Sequence, residues 1–172
     1  MKVRLKQSEI ETAERMARLL YRMSRAAGLE TNKMDKSRSQ RAVDVLGIQA
    51  EIVVRNALGL GGSYYEIGAD HGADLFVDCK EKELRIQVKG TFATKGNLLL
   101  PLYDEFKWDA AILVTKTDQD DVFDIPGYIS SKGAQSAMVK KDLGHGEGYF
   151  IAREELRPIG LLMQSIQEMK LR

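Results

Sequence analysis

At 172 residues, 44% hydrophobic and 30% charged, the chain suits one soluble globular domain, and no apolar run or leader of membrane-spanning kind is present. A single cysteine, Cys79, excludes an internal disulfide framework and fits a reducing compartment, and with only His71 and His145 beside it a zinc site would need carboxylates or a second chain. The net charge of +1 argues nothing about nucleic acid, but its distribution does: residues 1–41 hold eleven Lys/Arg against five Asp/Glu, and residues 42–172 hold fifteen against twenty.

That split divides the chain into a basic N-terminal helix and loop, 1–41, and an α/β portion, 42–172, within one globular domain. Residues 8–27 read as a helix. Ser8 followed by Glu11 is a capping-box pattern, Ile10, Ala13, Ala17, Leu20 and Met23 recur at helical spacing, and Gly28 suits a C-cap. The apolar stripe packs on a core, with a dimer contact as the alternative, while Arg15, Arg18, Arg22 and Arg25 solvate the opposite face. Residues 31–41 form a polar loop. Its Lys33, Lys36, Arg38 and Arg41 are natural DNA backbone contacts, or equally a solvated linker.

A second helix is expected over residues 39–58, its apolar side running from Ala42, Val45 and Leu46 to Val53, Ala57 and Leu58. Glu51 sits between Ala50 and Ile52 in this apolar segment, on the helix expected to pack against the following sheet. Asp44, two turns earlier, is a second candidate on a similar face. Residues 59–62 break the helix, and 63–67 are β-prone. Residues 68–72 make a Gly-rich loop in which Asp70 and His71 read first as turn chemistry.

Residues 72–79 and 84–90 are two strands joined by a polar turn, 80–83. On the second strand Leu84, Ile86 and Val88 share one face, and Arg85, Gln87 and Lys89 the other. If the strands pair as a hairpin, Asp74 lies near Lys89, and a carboxylate, an amide and an ammonium meet at one sheet edge. That inventory suits a hard divalent cation with a positioned water. The plain alternative is that Gln87 and Lys89 are the solvent face of an amphipathic strand.

Beyond Lys89, residues 92–97 form a polar loop with Lys95. A short helix is expected over 102–108, after Pro101, and a buried strand over 109–117. An acidic turn (116–121) leads to an edge strand over 122–125, and Pro126-Gly127 opens a helix to about Ala134. Residues 143–148 are Gly-rich but lack P-loop spacing, so His145 reads as a solvent histidine. A last strand at 149–151 precedes a helix over 153–170, with Pro158 delaying its regular part.

Asp74, then Gln87-Val88-Lys89, with Glu51 upstream on a helix, resembles the PD-(D/E)XK nuclease superfamily over about residues 42–115. That superfamily includes restriction enzymes, Holliday-junction resolvases, homing endonucleases and repair nucleases. The resemblance implies an α/β (α+β) fold with a restriction-endonuclease-like core: helix, three strands, helix, strand, in a mixed sheet flanked by helices. It implies a Mg²⁺- or Mn²⁺-dependent DNA endonuclease. Asp74, Gln87 and the Val88 backbone carbonyl would hold the cation, Glu51 a second one or its water, and Lys89 would orient the attacking water. The sequence departs from the pattern twice: Ala73 stands where the family has Pro, and Gln87 where it has a second acid. The second departure keeps open a catalytically inactive DNA-binding or assembly module. Duplex or branched DNA is the expected partner and a homodimer or higher homo-oligomer the expected state. No membrane, no nucleotide cofactor, a cytoplasmic location and a prokaryotic or phage origin complete the expectation.

Overall fold

The computed structural model describes residues 1–26, 39–60, 73–80, 82–102, 106–142 and 147–171. The expected strand at 63–67, the loop with Asp70 and His71, and His145 lie outside the described residues. So do Lys33, Lys36 and Arg38.

The chain is an α+β protein. In order come β1 (Lys2–Arg4), α1 (Gln7–Ala26), α2 (Gln40–Ala57), β2 (Leu75–Cys79), β3 (Lys82–Thr91), β4 (Leu98–Pro101), β5 (Ala110–Lys116), β6 (Val122–Ser130), α3 (Ser131–Ala137), β7 (Val139–Asp142), β8 (Glu147–Ile151) and α4 (Ile159–Leu171), with a 3₁₀ turn at Arg153–Glu155. Five strands form a mixed sheet in the order β1-β6-β5-β3-β2, and β4-β8-β7 form a smaller antiparallel one. Only β3 and β5 run parallel; β2–β3, β5–β6 and β1–β6 are antiparallel.

Burial explains the arrangement. Every residue of β5 from Ala110 to Thr115 is buried, because both of its faces are covered. On one face Ile86, Val88, Ile112 and Val114 pack with Leu46, Ala50 and Val53 of α2 and Ile159, Leu162 and Ile166 of α4. On the other, Ala111 and Ile129 meet Leu98, Leu100, Trp108, Ala134 and Ile151, so the small sheet and α3 form a third layer. The closest approach of α2 is at Gly90, where a Cβ would stand 3.1 Å from Ala50 Cβ and 3.3 Å from the Leu46 carbonyl.

Several expectations are corrected. Helix α1 begins one residue early: the Glu9 carboxylate accepts the Lys6 backbone N–H at 2.7 Å, so the reciprocal cap is made there and not from Ser8. Met23 is exposed, while Ala13 and Ala17 are fully buried and carry the contact with α2. No helix follows Pro101 among the described residues: Leu98–Pro101 is a strand, and Phe106 takes a φ of 52°, outside the helical region. The strand beginning at Val122 is neither short nor an edge, since β1 covers it. It runs through Pro126 and Gly127, so the helix expected there starts only at Ser131. Pro126 is tolerated because the β5–β6 register shifts at that point, with Leu113 opposite Gly127 but Thr115 opposite Asp124. A residue in such a bulge has no ladder N–H to give. Strands β1 and β7 carry no local signal in the sequence. The last helix starts at Ile159, immediately after Pro158.

Candidate active site

The site is built where β2 ends and β3 continues. The hairpin register places Leu75 opposite Ile86, and the Asp74 N–H makes the last backbone bond of that ladder, to the Ile86 carbonyl at 3.0 Å. Beyond it the Asp74 side chain takes over. Its Oδ2 accepts the Val88 N–H at 2.6 Å and also the Gln87 side-chain amide. In a strand the N–H and C=O of one residue point to the same edge, so the Val88 carbonyl is directed to the side on which Asp74 stands. Ala73 is buried in the second core and anchors the chain just before Asp74.

Helix α2 brings the third element. Ser39 caps it, accepting the Ala42 N–H at 3.2 Å, and the buried stripe Leu46, Ala50, Val53 and Val54 sets its rotation. Glu51 is thereby carried, partly buried, to the edge where Asp74 and Lys89 meet. Burial pushes its carboxyl up to about 8; the Asp74 carboxylate adds to this, and Lys89 and Arg55 oppose it. One proton-binding carboxyl thus feels both of the other charged candidates. Gln87 and Lys89 are both partly buried on β3.

The structure therefore brings Glu51, Asp74, Gln87, Val88 and Lys89 together. Asp74 faces Gln87 and Val88 most directly, one step short of the Lys89 contact the hairpin suggested. Asp44 does not join them: its carboxylate accepts Gln40 Nε2 at 2.7 Å on its own helix, and burial raises its pKa against that bond. Arg41 is exposed in the first turn of α2, which contains no acidic residue, so its charge opposes the helix dipole. Cys79 is only partly buried at the end of β2.

Among the described residues no group of three or more His, Cys, Asp or Glu side chains gathers. The donor set is two carboxylates, an amide and a backbone carbonyl, all oxygen, as Mg²⁺ and Mn²⁺ prefer. It fits such a cation on electrostatic grounds: Glu51 and Asp74 repel each other in a sheltered place, and a divalent charge would remove that conflict. The Gln87 side-chain nitrogen donates to Asp74 Oδ2; a half-turn of the amide would offer its oxygen instead.

Sequence reasoning missed Arg55, which follows Glu51 by one helical turn and tempers its titration. The i, i+4 spacing was the available signal. It also missed Arg153, whose partners lie far away in sequence. No family model matches this chain, and no curated protein matches it either. No helix among the described residues is long and apolar enough to cross a membrane.

Proposed function

We propose that this chain is a divalent-cation-dependent DNA endonuclease with a restriction-endonuclease-like core, in which Glu51, Asp74, Gln87 and Lys89 form the active site. The observation carrying this reading is the convergence of those side chains where β2 ends beside β3: Asp74 bonds the amide and N–H of the Gln87-Val88 pair, and the Glu51 carboxyl feels both Asp74 and Lys89. The order of the parts supports it too. A helix precedes an antiparallel hairpin, and the second hairpin strand pairs in parallel with a later buried strand.

Asp74, Gln87, Glu51 and the Val88 carbonyl would hold Mg²⁺ or Mn²⁺. When bound, the ion supplies Lewis-acid charge to a phosphoryl oxygen and lowers the pKa of an attacking water. Lys89 supplies what carboxylates cannot: an ammonium that orients a water by hydrogen bonding and offsets the negative charge growing on the phosphoryl group. Its half-buried position strengthens that interaction over one in bulk water. Glu51, whose carboxyl is pushed up to about 8 by burial and by Asp74, would be held ionised by the cation and so serve it as a ligand.

A second reading keeps the DNA and drops the chemistry. Gln87 donating to Asp74 supports it, because a site closed on itself has no need of a cation. Plasmid cleavage in Mg²⁺ and in EDTA separates the two, with Asp74→Asn and Lys89→Ala as controls. Cation-dependent nicking abolished in both variants is the expected result. Wild-type nicking that survives Asp74→Asn would refute the active site, and DNA binding in Ca²⁺ without nicking in Mg²⁺ would leave the binding module.

A further inference from the structure

The strand that carries Gln87 and Lys89 ends in Thr91, whose side chain lies on the same face as theirs by the alternation of the strand. The chain then folds back on it. The Gly96 N–H donates to the Ala93 carbonyl at 3.1 Å, and the Ala93 N–H to Thr91 Oγ1 at 3.3 Å. A Cβ on Gly96 would stand 2.4 Å from Thr91 Cγ2, so any larger residue would have to displace the Thr91 side chain or the turn. Residues 93–96 are therefore a turn seated on the face that holds the active site, one pleat beyond Lys89.

Arg153 ties this turn down from 56 or more residues away in sequence. Its Nη1 donates to the Thr94 carbonyl at 3.0 Å, its backbone N–H to Asn97 Oδ1 at 3.0 Å, and its Nη2 to Asp124 Oδ2 at 3.1 Å. The strand register explains the span. Thr91 pairs with Thr115, and Thr115 with Asp124, so the three stand in one row across β3, β5 and β6. The Arg153–Asp124 pair is sheltered, with side-chain exposures of 29% and 24%. A plain surface connection needs no such anchoring.

The anchored turn presents Lys95, exposed, between Thr94 and the buried Gly96. None of the ion pairs among the described residues involves Lys95. Chain geometry keeps its Cα within roughly 17 Å of that of Lys89, two strand residues and a folded-back turn away. An ammonium on a pre-ordered backbone, unpaired with any carboxylate among the described residues, contacts an anion at lower entropic cost than one on a loose loop. We infer that the Lys95 turn grips the phosphate backbone of the DNA strand beside the scissile phosphate, and that Arg153 is the positioning residue that holds the turn in place. This rests on the nuclease reading above. The contact carries no base information, so it contributes affinity and register and leaves sequence preference alone.

The test uses the full chain, a duplex oligonucleotide, and Ca²⁺ for binding and Mg²⁺ for cleavage. Lys95→Ala should flatten the slope of log K against log salt by about 0.9, the share of one phosphate contact. Between 50 and 200 mM salt the wild type then loses about 3.5-fold more affinity than the variant. KM should rise while kcat is kept. Arg153→Ala should flatten the slope equally, Arg153→Lys should restore part of it, and adding Lys95→Ala to Arg153→Ala should change nothing further. A purely structural Arg153 would instead give additive losses. Lys95 is exposed, so its variants fold even if Arg153→Ala does not, and their salt slopes alone decide. Cleavage by the wild type with an unchanged slope in Lys95→Ala overturns the grip and leaves the nuclease. A flattened slope with no cleavage by any form keeps the Lys95 phosphate contact but overturns the nuclease and with it the place of that contact beside a scissile phosphate. A wild type that neither binds nor cleaves overturns both.

Discussion

Replacing Glu51 by glutamine tests the electrostatics of the site without any substrate. In the folded protein the Glu51 carboxyl titrates near 8, driven up by burial and by Asp74, against 4.5 when unperturbed. Between those two values the folded chain binds a proton that the unfolded chain has already released, so stability falls as pH rises. The contribution is fully present below about 4.5 and gone above about 8. At 1.36 kcal/mol per unit, the loss between pH 4.5 and 7 amounts to about 3 kcal/mol, and reaches about 4 by pH 8. An amide in its place has no proton to lose, so in EDTA the Glu51→Gln protein should be nearly level where the wild type declines. Urea unfolding of both proteins at pH 5 and pH 8 measures this, with the shared titrations of His71 and His145 cancelling in the difference. At pH 8, millimolar Mg²⁺ or Mn²⁺ should restore wild-type stability and leave the variant unmoved, as expected for a ligand of the folded state alone. Equal differences between the two proteins at pH 5 and pH 8 would refute the burial of a strained carboxyl at this position.

Three further sets of substitutions probe the site and the strand β3 that carries it. Gln87→Glu restores a second carboxylate and should tighten Mn²⁺ binding in calorimetry with an uncleavable DNA present, whereas Gln87→Leu should lose it; identical titrations for all three proteins would sink the cation site. Gly90→Val drives two methyls into Ala50 and Leu46 and should cost roughly 1–3 kcal/mol, displacing Glu51 and lowering cleavage; an unshifted melting curve would mean that α2 is free to move away. Asp109 accepts the Arg85 N–H at 2.9 Å and Lys82 Nζ at 3.0 Å, and its own N–H bonds the Arg85 carbonyl at 2.8 Å, stapling β5 to β3. Asp109→Ala should cost roughly 1–2 kcal/mol by urea unfolding, and no loss would show that the parallel register holds without the staple.

The parts of this site that could be read in the sequence are those whose partners lie close along the chain. Leu84 to Lys89 alternates strictly, so its two faces were legible, and the polar turn before it made a hairpin the natural partner, which put Asp74 near Lys89, one step beyond its partners Gln87 and Val88. Glu51 stood out by its position in an apolar segment of the helix that precedes the strand pair and was expected to pack on it. Long-range pairing defeated the same method elsewhere. Pro126-Gly127 is a strong local signal for a break, yet the chain passes through it as a strand: β1 stops at the level of Asp124, β5 shifts register there, and the proline's missing N–H is asked of no one. Lys2 to Arg4 forms a strand only because β6 offers an edge more than a hundred residues later. The Arg153 contacts follow the same rule. Thr94 and Asn97 looked like an ordinary polar loop, and nothing in their spacing pointed to a guanidinium 56–59 residues away. The division has a functional consequence. The groups that would do chemistry sit on a hairpin and one helix, with Ala73 in the second core as a long-range anchor beside Asp74. The groups proposed to hold the DNA beside it depend on β5, β6 and the turn before α4 all being in place. Grip should therefore fail before chemistry as the protein is destabilised: in mild urea KM should rise while kcat at saturating DNA is still near its native value.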